Sequence, residues 1–179
     1  MITLLTPAQY RRMPWKNGGG TATDIATDSA TGGEVWRFGR TPILVAGAFS
    51  DYSGYDRAQV LIKGRGLVLD TPAGEIDVRT PFKPVHYNGE IRIVSRLEAG
   101  PVEVVNLIGL RAKVKVDMQI LDAGKSTQLG KGIHFAYAPT EASRIGEHDL
   151  AVDHCLRIEA ADPTMLSCGS GRVLVASVT

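Results

Sequence analysis

In the segment KVKVDMQI, Val114, Val116, Met118 and Ile120 point one way, while Lys113, Lys115, Asp117 and Gln119 point the other. A period of two specifies a half-buried antiparallel strand with one apolar face and one wet face. EIRIVSRL alternates in the same way, with Ile91, Ile93 and Ser95 on one face. VLIKGRGLVLDT and VEVVNLIGL are β-branched runs broken by glycine, which suits buried strands with bends. Turn signals at Asp51 to Gly54, Pro72 to Gly74 and Asn88-Gly89 separate these runs. Many short strands with frequent turns predict a sandwich or barrel. Helix is expected only near the start: Thr6 can cap, Pro7 suits a first helical position, and Gln9 can close a capping box. Pro14 limits that helix to about two turns.

Three blocks recur in one order. KGRGLVLDTPAGE from Lys63 resembles LGKGIHFAYAPTE from Leu129, IRIVS from Ile91 matches LRIEA from Leu156, and GPVEVVNL from Gly100 matches GRVLVASV from Gly171. Two related β-modules in a double jelly roll account for the repetition. The expected division is residues 1–110 and 111–179.

Charge and cysteine content narrow the function classes. Lys+Arg is 20 against Asp+Glu 19, with neither sign in blocks, which argues against nucleic-acid and anionic-membrane partners. No run of about 18 apolar residues exists to span a membrane. MITLLTPAQYRRMPW has neither a basic n-region nor a small-residue cleavage site, so it does not read as a signal peptide. Cys155 and Cys168, outside any CxxC spacing, fit a reduced cytoplasmic protein.

The motifs are sparse. PWKNGGG has no Lys-Ser/Thr after the last glycine and no GxGxxG spacing, so a nucleotide fold is unsupported. Its glycines allow either close approach of backbone amides to an anion, with Lys16 and Asn17 adding a charge and an amide, or a hairpin turned at Asn17-Gly18. Both readings stand at this point. His86, His134, His148 and His154 form no HxH, and the Glu147, His148, His154, Cys155 group has a spacing that suits neither a helix face nor a strand face. No metal or other cofactor is expected. No serine sits in GxSxG, and Cys168 in LSCGSG reads as a loop thiol. In FSDYSGYDR, Arg57 can fork onto a ligand carboxylate or join Asp56 in structural ion pairing. Trp36-Arg37 adds a second arginine, and Asn106, inside an apolar strand, must find backbone or ligand partners.

Taken in order, MPWKNGGGTATDIA, WR, GAFSDYSGYDR, VLIKGRGLVLD, HYNGE and GPVEVVNL resemble the HutD/Ves family over about Tyr10 to Leu110. The resemblance implies an all-β, double cupin-like fold (bicupin, RmlC-like jelly-roll barrel) with little helix. It also implies a role as a modulator of histidine utilisation rather than one of its enzymes, with a small carboxylate such as N-formylglutamate as ligand. Carried over by residue, it points to Trp15, Lys16, Asn17, Gly18, Gly19, Gly20, Trp36, Arg37, Asp56, Arg57 and Asn106 as ligand-binding positions. The chain departs from the family pattern at Ala22, Thr23 and Asp24 after the glycines, where T-R-E is usual. Gly39 replaces a serine, and Val104 replaces an aspartate.

The expected protein is therefore a cytoplasmic, non-enzymatic binder of a small carboxylate, with homodimerisation compatible. The alternative is a metal-independent cupin-type enzyme acting on an acyl or sugar derivative, with His86 as its candidate acid or base.

Overall fold

The computed structural model describes residues 1–15, 18–30 and 33–179, with Ala30 described by its backbone alone. In chain order the strands are β1 (Ile2–Leu5), β2 (Arg11–Pro14), β3 (Thr21–Ala30), β4 (Gly33–Ile43), β5 (Tyr55–Lys63) and β6 (Leu67–Thr71). They continue with β7 (Gly74–Val78), β8 (Val85–Asn88), β9 (Val94–Leu97), β10 (Val102–Leu110), β11 (Val116–Asp122) and β12 (Ser126–Leu129). The last six are β13 (Gly132–Tyr137), β14 (Ser143–Ile145), β15 (His148–Leu150), β16 (Cys155–Ala160), β17 (Thr164–Ser170) and β18 (Arg172–Val178). Helix among the described residues is one 3₁₀ turn, Pro7–Gln9, in which Gln9 Oε1 accepts from the Thr6 amide at 2.8 Å. It is shorter than the two turns expected, because the chain is already extended at Tyr10 and pairs as β2 from Arg11.

The strands form two jelly rolls, each a pair of sheets rather than a closed barrel. In the N-terminal module the order β2-β3-β4-β10-β5-β8 faces β7-β6-β9. In the C-terminal module the order β1-β16-β13-β18-β11 faces β12-β17-β14-β15. β1 thus belongs to the C-terminal sheet, pairing Ile2 to Leu5 with Ile158 to Cys155, so the expected cut at residue 110 leaves this strand with the wrong module.

Strand order also corrects two of the three repeat blocks. β10 lies between β4 and β5 just as β18 lies between β11 and β13, so GPVEVVNL and GRVLVASV are true counterparts. By the same order β13 matches β5, not the β6 that KGRGLVLDT encodes, and β16 matches β8, not β9. Glycine-basic-glycine before an apolar run recurs wherever a turn feeds a buried strand, so it aligned non-equivalent strands.

Three cores follow from the pleat. Trp36, Phe38, Ala58, Val60, Val105 and Leu107 from one large sheet meet Met118, Phe135, Tyr137, Leu174 and Ala176 from the other. Phe38 stacks on Phe135 with centroids 4.9 Å apart. Leu61, Leu67, Leu69 and Val104 fill the N-terminal interior, and Leu129, Ala136, Leu156 and Val175 the C-terminal one. Polar contacts reinforce the junction. Arg40 donates to Glu103 at 2.8 Å and to Asp153 at 2.9 Å, and Lys63 reaches Glu103 at 2.8 Å. Tyr10 and Tyr137 donate to the Asp153 carbonyl and carboxylate. Burial, then the hydrogen bond to Asp153, pushes the Tyr137 phenol well above its usual value, so it stays a donor.

Cys168, expected in a loop, lies in β17 and is buried, and both cysteines are unbridged. Among the described residues no helix is long and apolar enough to cross a membrane.

Candidate functional site

The N-terminal jelly roll is not filled to its end. Over the face of its six-stranded sheet turned away from the other module lies a cavity of about 70 Å³, room for several waters or a small organic acid, since one water needs ~10–15 Å³. Ala22 and Asp24 of β3, Arg37, Gly39, Thr41 and Ile43 of β4, Gln59 of β5, and Val104, Asn106 and Ile108 of β10 line it. Phe49, Ser50 and Tyr52 close it from the loop after β4, and Trp15 from the end of β2.

Local sequence sets these positions. On β3 the pleat puts Ala22 and Asp24 on the cavity face and Ile25 in the inter-module core, and the bulge between Asp24 and Ala26 then turns Ala26 to the core side as well. On β4 the pleat alternates, so Arg37, Gly39 and Thr41 face the cavity and Trp36 and Phe38 face the other way. Gly39 is required sterically: a Cβ there would stand 2.5 Å from the Thr23 carbonyl oxygen. Gly20 packs close to Trp15, whose ring carbons a Cβ would meet at 2.9 Å.

The polar groups form one connected wall. Asn106 Oδ1 accepts from Arg57 Nη2 at 3.1 Å and from Gln59 Nε2 at 2.8 Å. Two donors on one oxygen fix the amide's orientation, so Asn106 Nδ2, which has no hydrogen bond among the described residues, remains as a donor at the cavity. Arg57 is itself 7% exposed. Its guanidinium lies 5.2–5.4 Å from the ring centres of Phe49, Tyr52 and Tyr87. No carboxylate among the described residues pairs with it, and its Nε is buried without a partner. Arg37 Nε and Nη2 bind Glu34 at 2.9 and 2.7 Å, whereas Nη1 makes only a 3.5 Å contact with the Tyr52 hydroxyl. Asp24 lies 3.6 Å from Arg37 Nε. Burial raises the Asp24 carboxyl above its usual value against the opposing pull of Arg37, and burial likewise raises the Tyr52 phenol.

The sequence-derived positions divide accordingly. Trp15, Arg37 and Asn106 line the cavity, and Arg57 stands behind the wall, gripping Asn106. Trp36 does not reach the cavity: it is 1% exposed in the inter-module core, because adjacent residues of a strand face opposite ways. Asp56 is drawn outward by Arg111 at 2.7 Å, which Glu90 holds from its other side. Gly18 donates to the Trp15 carbonyl at 3.0 Å and has φ +72°, a left-handed value that suits glycine. Gly19 and Gly20 border a separate surface groove with Arg12 and Thr21. Among the described residues the three glycines thus lie against Trp15 and the neighbouring groove, outside the lining of the cavity. Lys16 and Asn17 lie outside the described residues. His86 pairs with Asp117 at 3.0 Å on the exposed module junction, away from the cavity. No group of three or more His, Cys, Asp or Glu side chains among the described residues is arranged to hold a metal ion.

Sequence reasoning missed Gln59, Tyr52 and the role of Asp24. Gln59 carried a signal, a polar residue inside the apolar run AQVLI. Of the departures from the family pattern, Ala22, Asp24, Gly39 and Val104 fall on the cavity wall and Thr23 does not.

The HutD family model matches residues 7–175. The chain belongs to the HutD family. It is 31% identical to an uncharacterised 21.2 kDa protein in the hutC 3′ region of Pseudomonas putida over 173 residues, covering 90% of this chain and 88% of the relative. It is similar to the structure of HutD from Pseudomonas fluorescens SBW25 (formate condition), with TM-score 0.89 and 27% identity, over 100% of this chain and 98% of that one. Salicylate 1,2-dioxygenase from Pseudoaminobacter salicylatoxidans shares the fold at TM-score 0.67 and 7% identity, over 99% of this HutD-family chain and 81% of the dioxygenase. The double cupin-like jelly roll is thus common to relatives of very different sequence.

Proposed function

We propose that this HutD-family protein is a cytoplasmic, non-enzymatic binder of a small carboxylate metabolite, N-formylglutamate foremost, and that binding modulates histidine utilisation. The observation that carries this reading is the Asn106 amide. Arg57 and Gln59 hold its oxygen, so Nδ2 is presented to a cavity also lined by Arg37, whose Nη1 is held only by the long 3.5 Å hydrogen bond to the Tyr52 hydroxyl. Two such donors suit one carboxylate, and hydrogen bonds to charged groups contribute ~1.5–3 kcal/mol each. Arg57 supports the site as a buried cation whose field favours an anion nearby. Family membership, and the hutC 3′ region of the P. putida relative, support the link to histidine utilisation.

Thermal unfolding against histidine, urocanate, formiminoglutamate, N-formylglutamate, glutamate and formate tests this. A ligand at 100 times its Kd adds ~2.7 kcal/mol, on the order of 3 °C for a chain this long. One acid is expected to raise the midpoint and Arg37→Ala to abolish the rise. No shift from any acid up to ~10 mM (Kd weaker than that corresponds to under about 3 kcal/mol) would end the carboxylate reading.

One observation favours the enzymatic alternative. Asp24 is a cavity carboxyl with a raised pKa, the property of a general acid or base. It replaces His86 as that reading's candidate. NMR of each acid after overnight incubation with the protein separates the two, since a binder leaves every ligand unchanged.

A further inference from the structure

We propose that Asp24 is a specificity-determining residue that accepts an N–H group beside the ligand's carboxylate. The site then takes α-amino acids or N-acyl α-amino acids and rejects nitrogen-free dicarboxylates. The inference rests on the carboxylate reading above and adds what the second half of the wall requires.

Asp24 is 6% exposed, and its carboxylate accepts no hydrogen bond among the described residues. Its nearest cationic group, Arg37 Nε, is 3.6 Å away, beyond hydrogen-bonding range, and donates to Glu34 instead, while Arg11, its partner across β2, acts on it only at longer range. Buried carboxylates normally collect donors, so an unserved one on a cavity wall marks where a ligand donor belongs. Gln59 repeats the pattern. It has no exposure, its Nε2 is committed to Asn106, and its Oε1 is a second buried acceptor without a partner.

A carboxylate cannot serve either acceptor, because it has no proton to give and would add like charge. The donors Arg37 Nη1 and Asn106 Nδ2 serve the ligand's acid, which leaves Asp24 for a different ligand group. Arg37 and Asp24 stand side by side, as do the acid and the nitrogen on the α-carbon of an amino acid. An amide N–H or an ammonium satisfies Asp24, and both bring the proton that the wall lacks. The raised pKa of Asp24 is the expected behaviour of a buried carboxyl short of donors.

Isothermal titration of the full chain with glutamate, N-acetylglutamate and glutarate tests the idea. The three share a carbon skeleton and differ at the α-nitrogen. At least one nitrogen-bearing acid should bind wild type about tenfold or more tighter than glutarate, because a site built for an N–H penalises its absence. Asp24→Ala should bring the three to within about threefold of each other, since that discrimination is then lost. Should the alanine variant not fold, the isosteric Asp24→Asn should still reduce the preference for glutamate about tenfold by removing the charge that holds an ammonium. Equal binding of all three acids to wild type overturns this inference and leaves the carboxylate reading standing. So does a preference that survives both substitutions. Absence of binding by these three acids, formate and N-formylglutamate removes the carboxylate reading itself.

Discussion

Gln59 faces Asn106 across β5 and β10, and His134 faces Ser177 across β13 and β18, the matching strands of the other module. Both pairs occupy the same place in their jelly rolls and both are enclosed, yet they end differently. His134 Nδ1 bonds Ser177 Oγ at 2.8 Å and its Nε2 meets the Gly130 carbonyl at 2.9 Å, so the ring is satisfied at both nitrogens. The buried cluster beside it is wholly apolar. Gln59 and Asn106 are joined by a cation, share one acceptor oxygen, and leave Gln59 Oε1 unpartnered. A polar pair closed on its own backbone completes a core, whereas one left partly unmet keeps a cavity ready for a ligand.

The comparison is easiest to break at Asn106 and Ser177. Asn106→Ala strips Arg57 of its hydrogen bond while leaving the charge buried, and should cost about 3 kcal/mol in urea unfolding. Ser177→Ala, which leaves His134 its contact with Gly130, should cost about 1 kcal/mol. Equal costs would mean that the two pairs are not different in kind.

Next in size is Gly39→Ser, which restores the family residue but drives a Cβ toward the Thr23 carbonyl. Overpacking of about 2 kcal/mol is expected, seen as a lower thermal midpoint. A neutral result would show that β3 can retreat at its bulge.

A finer test removes the other member of each pair. Gln59→Leu discards an unmet acceptor along with one hydrogen bond and should fall within about 1 kcal/mol of wild type. His134→Leu breaks a fully satisfied ring and should cost about 1–2 kcal/mol.

The smallest expected effect is a pH dependence. The folded pKa of Asp24 is raised, so the proton it holds stabilises the fold below the usual aspartate value of 3.8, and that contribution is lost as pH rises through the folded pKa. The stability of Asp24→Asn relative to wild type should therefore grow from pH 4 to pH 7, measured by urea midpoints at the two ends. Saturating ligand should shrink the difference if Asp24 receives the donor.

The alternation KVKVDMQI settled the direction of its side chains, and Met118 is in the core as its spacing requires. GPVEVVNL and GRVLVASV were legible as counterparts because both are central strands buried on both faces. The same double burial hid the site. On β4, alternation separates Trp36 from Arg37, but with core on one side and cavity on the other, nothing local says which residue meets a ligand. Asp24 alternates with Ile25 as a period of two assigns, but nothing local says that its face borders a cavity rather than solvent or core. β1 escaped because its partner, β16, lies at the far end of the chain, with Ile2 paired to Ile158 and Leu5 to Cys155. Sequence by itself determined strands, turns and the family, since pleat, glycine and proline act through neighbouring residues. Only the tertiary structure decided which polar groups remain unmet, because satisfaction of a buried donor or acceptor depends on partners brought from distant strands.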